Sequence, residues 1–506
     1  MSTSHRIELN TVLLAVVAVV VSCPGMARCG AGGTGEGPVA AVAAADTVSG
    51  PVIVARPGGD VVLDLAACAR LALAGNDALR AERLKLRELS GRKLQALSTG
   101  LPTIDATASW RRGRDPTFAL DSTFAGDGGG TGNAALDSLF GGFDFLPAPE
   151  DIPAQTFWRA SLNLHWTLNP VKVLGAVGAA GRSIRRQELL IRDLEHRTLE
   201  QVVTAYHGVQ LAAEELAAAR ARLADQRELL DIMRLRFELG LASDLDTLQA
   251  AVGVANLEPE VNRTAAALRQ AGARLNAVLG RAPDAPVAVV ADTSVERVPL
   301  DRAVALRLVD ERPDLRAVDL LGAMLRQQRR AQKADMRPYL TVDGAYGLVG
   351  RTLDTLDDTG HDFWSATVAL NVPLFDGLLT RGNVRQTEAA LRRNGAELAG
   401  LRRQARVEVM GLLDALAVAR RNLAAAELNL ERARRLLEAN KLRLRLGKTD
   451  YLTVLQSEAG RADARRNLIR ARHDVQVTTA SLKRALGLSP LRPLADIPGL
   501  AKGTTP

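Results

Sequence analysis

Gly447-Lys448-Thr449 ends like a phosphate-binding loop, in which backbone amides and a lysine would cradle a nucleotide, but the glycine that loop requires five residues earlier is Leu442. Gly175, Gly178 and Gly181 follow a strand-like stretch and open a helix, yet their spacing is not that of the dinucleotide fingerprint, and close backbone packing accounts for them better. The six histidines are scattered, with no pair at ligand spacing near acidic partners. No serine or cysteine nucleophile has a recognisable base. The three cysteines, Cys23, Cys29 and Cys68, give neither a metal spacing nor a disulfide framework. These residues specify no enzyme, no metal site and no cofactor.

Another spacing is structural. Ser243 and Asp246 stand three apart just after Gly240, as a capping box requires, and Ser243 or Thr449 is placed to cap the helix that follows its glycine. The turns 240–246 and 447–455 therefore interrupt helices, and the helices are long. Val202, Val209, Leu216, Leu223, Leu230 and Phe237 recur every seven residues, as do Val409, Leu416, Leu423, Leu430, Leu437 and Leu444; adding 207 to the first set gives the second. Such a repeat makes a coiled-coil seam, and the accompanying Ala205, Ala212, Ala219, Gln226 and Met233 are mostly small. No proline falls between Pro170 and Pro259 or between Pro373 and Pro490, so each seam fits a helix of nearly 70 residues, roughly 100 Å long.

Composition agrees with rods. The 506 residues are 47% hydrophobic but only 3% aromatic, as in long helices. The net charge of +8 is modest for this length, and the arginines are scattered along helix faces. They read as solvated surface, with no nucleic-acid partner.

His5 and Arg6 precede the apolar run 11–21, which is too short to span a bilayer and suits a secretory signal in residues 1–22. Two cleavage points fit. Val20-Val21-Ser22-Cys23 resembles a lipoprotein box that would leave a lipidated Cys23, while Ala43-Ala44-Ala45 offers a later cut near residue 45. Residues 23–62 read as a flexible linker.

Beyond the linker the chain divides into repeats at 63–299 and 300–489, followed by a tail at 490–506. Each repeat opens with a helix of about 35 residues, which ends before Pro102 or Pro338 because proline cannot continue it. A hairpin follows, at 101–168 or 338–374, then a long helix at 171–239 or 377–446, then a return helix at 243–280 or 449–487. In the hairpins the period changes to two. Ile104, Ala106, Ala108 and Trp110 alternate with Asp105, Thr107 and Ser109; Trp158, Ala160, Leu162, Leu164, Trp166 and Leu168 alternate with Arg159, Ser161, Asn163, His165 and Thr167. Leu340, Val342, Gly344 and Tyr346, then Trp364, Ala366, Val368, Leu370 and Val372, continue the pattern. All four tryptophans of the chain lie in these strands. A soluble, half-buried sheet would alternate in the same way; against it, one apolar face with aromatic girdles marks transmembrane β-strands, and four such strands cannot close a barrel alone without leaving open edges in lipid. The barrel must be shared between chains. The first hairpin is longer than the second by a Gly/Asp/Phe-rich loop around Gly126 to Gly142, suited to an exposed position.

Taken in order, several motifs resemble the TolC-like outer-membrane efflux protein family: the opening at Leu65 to Leu73, Leu101-Pro102, Arg312-Pro313-Asp314-Leu315-Arg316-Ala317, Val372-Pro373-Leu374-Phe375-Asp376-Gly377, and the turns after Gly240 and Gly447. The first repeat departs at Leu168-Asn169-Pro170, where the family commonly has a Phe-Asp-Gly-like ending. The resemblance implies a mainly α chain with a small transmembrane β part, a homotrimer with a twelve-stranded barrel in the outer membrane, and a coiled-coil helical tunnel across the periplasm. It also implies an exit duct working with a periplasmic adaptor (membrane fusion protein) and an inner-membrane pump of RND or ABC type. Carried over residue by residue, it makes Gly240, Leu241, Ala242, Ser243, Gly447, Lys448, Thr449 and Asp450 the adaptor-contacting tip. It makes Asp246, Thr453 and Gln456 the constriction, with one acidic ring and a neutral polar layer. The competing reading is a periplasmic coiled-coil adaptor or structural envelope protein, which leaves the tryptophan-bearing strands unexplained.

Overall fold

The computed structural model describes residues 54–55, 61–113, 154–240, 243–292, 294–296, 301–352, 362–446 and 448–496. The signal segment with Cys23, the later Ala43-Ala44-Ala45 cut, the Gly126 to Gly142 loop, Leu241, Ala242 and Gly447 lie outside them.

Two rods dominate the described residues. Helix α3, Pro170–Glu238, has 69 residues, and helix α7, Leu379–Arg445, has 67. Each starts where a side chain accepts from a first-turn amide: Asn169 Oδ1 from Lys172 N at 3.1 Å, with Pro170 in the first turn where its missing N–H costs nothing, and Asp376 Oδ2 from Thr380 N at 2.8 Å. The Asn169-Pro170 departure thus keeps the strand-to-helix chemistry. Helix α4, Asp244–Leu279, packs back along α3, and helix α8, Tyr451–Ala485, packs back along α7 and also touches α3. The seams lie where the heptads put them, with Val202, Val209, Leu216, Leu223 and Leu230 buried, and Val409, Leu416, Leu423, Leu430 and Leu437 with them. Burying a side chain of this size stabilises by roughly 1.5–3 kcal/mol. Phe237, the last member of the first set, is exposed, because the helix ends one residue beyond it and nothing continues the seam.

The opening helices differ from the unbroken segments expected. In the first repeat α1, Leu65–Gly75, and α2, Asp77–Ser98, are separated by Asn76, whose extended backbone lets its side chain accept from Leu79 N at 3.1 Å. In the second, α5, Arg302–Leu308, runs through a 3-10 turn at Val309–Glu311 to α6, Pro313–Lys333. Arg312 is extended, as the residue before a proline prefers.

A small sheet joins the two ends of the first repeat: β1, Val54–Ala55, pairs with β2, Val61–Leu63, which pairs in parallel with β5, Val287–Val289. The chain after β5 is strapped onto the rods. Tyr206 Oη and Gln210 Nε2 donate to Val290 O at 2.8 and 2.7 Å, and Lys483 meets Glu296 at 2.6 Å. Close by, the buried Arg312 bridges Asp314 at 2.9 Å and Glu408 at 2.7 Å, while Arg484 holds the other Glu408 oxygen at 2.5 Å. This cluster joins α6, α7 and α8.

The second sheet has β3, Thr103–Gly113; β4, Gln155–Leu168; β6, Tyr339–Gly350; and β7, Asp362–Asn371. Its order is β3-β4-β6-β7, antiparallel throughout, with both outer strands open at their far edges among the described residues.

Candidate functional site

Two places in this architecture are suited to function: the capped turns at one end of the rods and the two-faced sheet at the other. At the first turn α3 closes on Gly240, whose φ of 70° is the left-handed conformation glycine accepts without strain. Ser243 then caps α4. Its Oγ accepts from Asp246 N at 3.2 Å, and Asp246 Oδ2 accepts from Ser243 N at 3.1 Å and from Ser243 Oγ at 2.8 Å. These bonds from the Ser243 hydroxyl and backbone hold the Asp246 carboxyl below its ordinary range.

At the second turn the cap is Asp450, one residue beyond the expected Thr449. Asp450 Oδ1 accepts from Thr453 N at 2.9 Å and from the Thr453 hydroxyl, and these bonds depress the Asp450 carboxyl as well. The shift of 207 makes Ser243 the counterpart of Asp450, and Asp246 the counterpart of Thr453, so the hydroxyl and the carboxylate have exchanged places. Both helices thus begin under an ionised carboxylate, the sign their dipoles favour. Lys448 is exposed, and its backbone N–H closes the preceding helix on Arg443 O at 2.8 Å. Gln456 lies exposed one turn into α8.

A buried polar layer above the second turn went unread in the sequence. Asn440 Nδ2 donates to Ser457 Oγ at 2.6 Å, and Ser457 Oγ donates to Thr453 O at 2.8 Å. Beside them burial pushes the Glu458 carboxyl up. The 207-shifted counterparts of Asn440 and Ser457 are Met233 and Ala250, both buried in an apolar cluster. The signal was available: Asn440 is a polar member of an otherwise apolar helical row.

In the four-stranded sheet most side chains sort by face, with Phe157 and Phe363 among the polar groups and Arg112 on the apolar side. On one face Thr107 and Ser161 pair at 3.0 Å, Asn163 donates to Asp105 at 3.0 Å, and Asn371 donates to Thr341 at 3.1 Å. His165 Nδ1 meets Asp343 Oδ1 at 2.6 Å, giving a histidine the acidic neighbour that sequence spacing had not shown. The opposite face carries Trp110 and Trp158, with ring centroids 6.4 Å apart, and exposes Ile104, Leu162, Tyr346, Trp364, Val368 and Leu370. An apolar face this extensive needs a non-aqueous cover. None of the described helices is long and apolar enough to cross a membrane. Among the described residues no group of three His, Cys, Asp or Glu side chains is placed to hold a metal ion.

A family model described as outer membrane efflux protein matches residues 68–281 and 306–488. The chain is similar to the alkaline protease secretion protein AprF of Pseudomonas aeruginosa, at 27% identity over 60% of this chain and 62% of that protein. It therefore spans about three-fifths of the length of that relative. It is 24% identical to the outer membrane efflux protein BepC of Brucella suis, over 62% of this chain and 68% of that one. Among solved structures, the outer membrane protein VceC of Vibrio cholerae shares the fold with a TM-score of 0.66 at 20% identity, covering 84% of this chain and 96% of that one.

Proposed function

Because the chain belongs to the outer membrane efflux protein family, we propose that it is the outer-membrane exit duct of a tripartite efflux or type I secretion system. The observation that carries this reading is the joining of rods about 100 Å long to a sheet with one exposed apolar face and two open edges. The apolar face meets lipid and the polar face lines a tunnel. Trp158 and Trp166 are eight residues apart on β4, about 27 Å along the strand, which suits an apolar band of about 25 Å on a tilted strand. The free edges of β3 and β7 run antiparallel and need partners in lipid. Pairing β7 of one copy with β3 of the next closes three copies, at four strands each, into a twelve-stranded barrel.

In that assembly the rods cross the periplasm as a passive tunnel, without a cofactor. Residues 240–243 and 447–450 form the tip that meets a periplasmic adaptor, and an inner-membrane pump of RND or ABC type supplies the energy. Asp246, Thr453 and Gln456 form the constriction. Cys23, if acylated, anchors the amino terminus to the same membrane, and Cys23→Ala would then abolish labelling by a palmitate analogue. The test of the assembly is purification in mild detergent. A trimer whose sheet resists protease while the loop around Gly126 to Gly142 is cut supports the duct. A monodisperse monomer that stays soluble without detergent removes it.

A further inference from the structure

Charge is sorted by height on the polar face of the four-stranded sheet. Toward the helices, Asp105 is bonded by Asn163 and Asp343 by His165. Toward the hairpin ends, Arg111 and Arg159 share that face, because Arg111 lies six residues beyond Asp105 on β3 and Arg159 six residues before His165 on β4. An even spacing keeps a strand's side chains on one face, and six residues span roughly 20 Å. Among the described residues neither arginine has a carboxylate partner. The Arg159 guanidinium instead lies 4.3 Å from the centre of the Phe363 ring. Gly347 makes room for that ring, since a Cβ there would come within 2.8 Å of Phe363 Cε1. A guanidinium stacked on an aromatic face is held in place while its N–H edge stays open to an oxyanion.

We propose that Arg111 and Arg159 form an anion-binding collar on the tunnel wall near the outer mouth, taking phosphate or carboxylate groups of solutes in transit. The collar rests on the exit-duct reading, in which three copies of the two arginines place six guanidinium groups around one wall. Three copies of Asp105 and Asp343 make an acidic belt beneath it. A guanidinium binds a planar or tetrahedral oxyanion with two parallel hydrogen bonds, and a low-dielectric wall around a narrow opening concentrates the field of the ring. Anionic groups are therefore drawn to the mouth, while cations are favoured at the belt. Arg112 takes no part, because alternation turns it to the apolar face beyond Trp110.

The collar is tested on the full-length protein in a planar bilayer, with inositol hexakisphosphate added to one compartment at a time. Wild type should be blocked from one side only, less strongly as salt rises. The Arg111→Gln/Arg159→Gln pair should weaken that block about tenfold or more, the scale of losing charge-assisted hydrogen bonds. Arg112→Gln should be blocked like wild type. A conducting wild type that the polyphosphate does not block, or a glutamine pair blocked as strongly as wild type, overturns the collar and leaves the duct standing. A wild type that forms neither trimer nor pore removes the duct and the collar with it. Should the glutamine pair not assemble, Arg111→Lys/Arg159→Lys keeps the charge but loses the planar fork. Its block should weaken yet remain one-sided, and block of undiminished strength would overturn the guanidinium assignment.

Discussion

Ser243 and Asp450 occupy the same N-cap position, 207 residues apart, and fill it with opposite members of one hydrogen-bonding pair. Where Ser243 caps, the carboxylate comes from Asp246; where Asp450 caps, the hydroxyl comes from Thr453. Each cap of the duplicated chain pairs one hydroxyl with one carboxylate, the carboxylate standing at the N-cap in the second repeat and three residues later in the first.

The capping carboxylates set a pH window for the two capped turns. Both fall below the ordinary value of 3.8 in the folded chain, so their contribution is present above that value and is lost as pH drops through the depressed folded values. Hydrogen exchange of the first-turn amides of α4 and α8 should show protection that holds from neutral pH to about pH 4 and declines below it. Ser243→Ala should cost about 1 kcal/mol of local stability in α4 at neutral pH and leave α8 unchanged. Equal loss in both helices would contradict separate caps.

The proposed constriction makes an electrical prediction. In the proposed trimer, threefold repetition of Asp246 would give a ring of carboxylates, which favours cations and binds multivalent ones, whereas Thr453 and Gln456 would add polar groups without charge. Isolated channels should be weakly conducting and cation-selective, and Asp246→Ala should reduce both the selectivity and the block by multivalent cations. Single-channel recordings showing unchanged selectivity and block in a folded Asp246→Ala trimer would leave Asp246 with its cap alone.

Docking at the tip is tested by charge. Replacing Leu241 and Thr449 together with glutamate should leave the proposed trimer intact in detergent and stop export in cells, because a close-fitting contact does not accept bulky new charge where a small or apolar side chain packed. Unimpaired export with unaltered cross-linking to the adaptor would move the docking surface elsewhere.

The ion cluster near the middle of the rods should matter to stability without touching transport chemistry. Glu408→Ala removes one carboxylate shared by two arginines, leaving Arg484 with Glu200 and the buried Arg312 with Asp314 as their remaining counter-charges. The expected loss is about 2 kcal/mol, below the roughly 3–5 kcal/mol of a fully buried pair because Glu408 is partly solvated. Thermal unfolding of the detergent-solubilised protein should register it, while Glu431→Ala, which breaks an exposed pair with Arg435, should change little.

Periodicity by itself determined much of this protein. A heptad repeated at a constant shift of 207 specifies two long rods and their seams, and strict alternation specifies which side chains share a sheet face, because both are properties of a local helix or strand geometry. Capping was half legible. The Ser243-to-Asp246 spacing is local, but the choice of Asp450 over Thr449 depends on where α8 begins, and only the packed turn fixes that. The breaks near Asn76 and Arg312 carried local signals, Gly75-Asn76 in one and Pro313 in the other, but how each helix resumes beyond its break is settled by packing. Contacts between distant parts of the chain were decided by tertiary structure alone. Arg312 finds Glu408 across 96 residues and His165 finds Asp343 across 178, and no spacing rule encodes a distance that depends on how rods and strands are laid side by side. The stacking of Arg159 on Phe363 belongs to the same class. Alternation puts both on one face, but it is the strand order β4-β6-β7, with Gly347 leaving space between them, that brings the guanidinium over the ring.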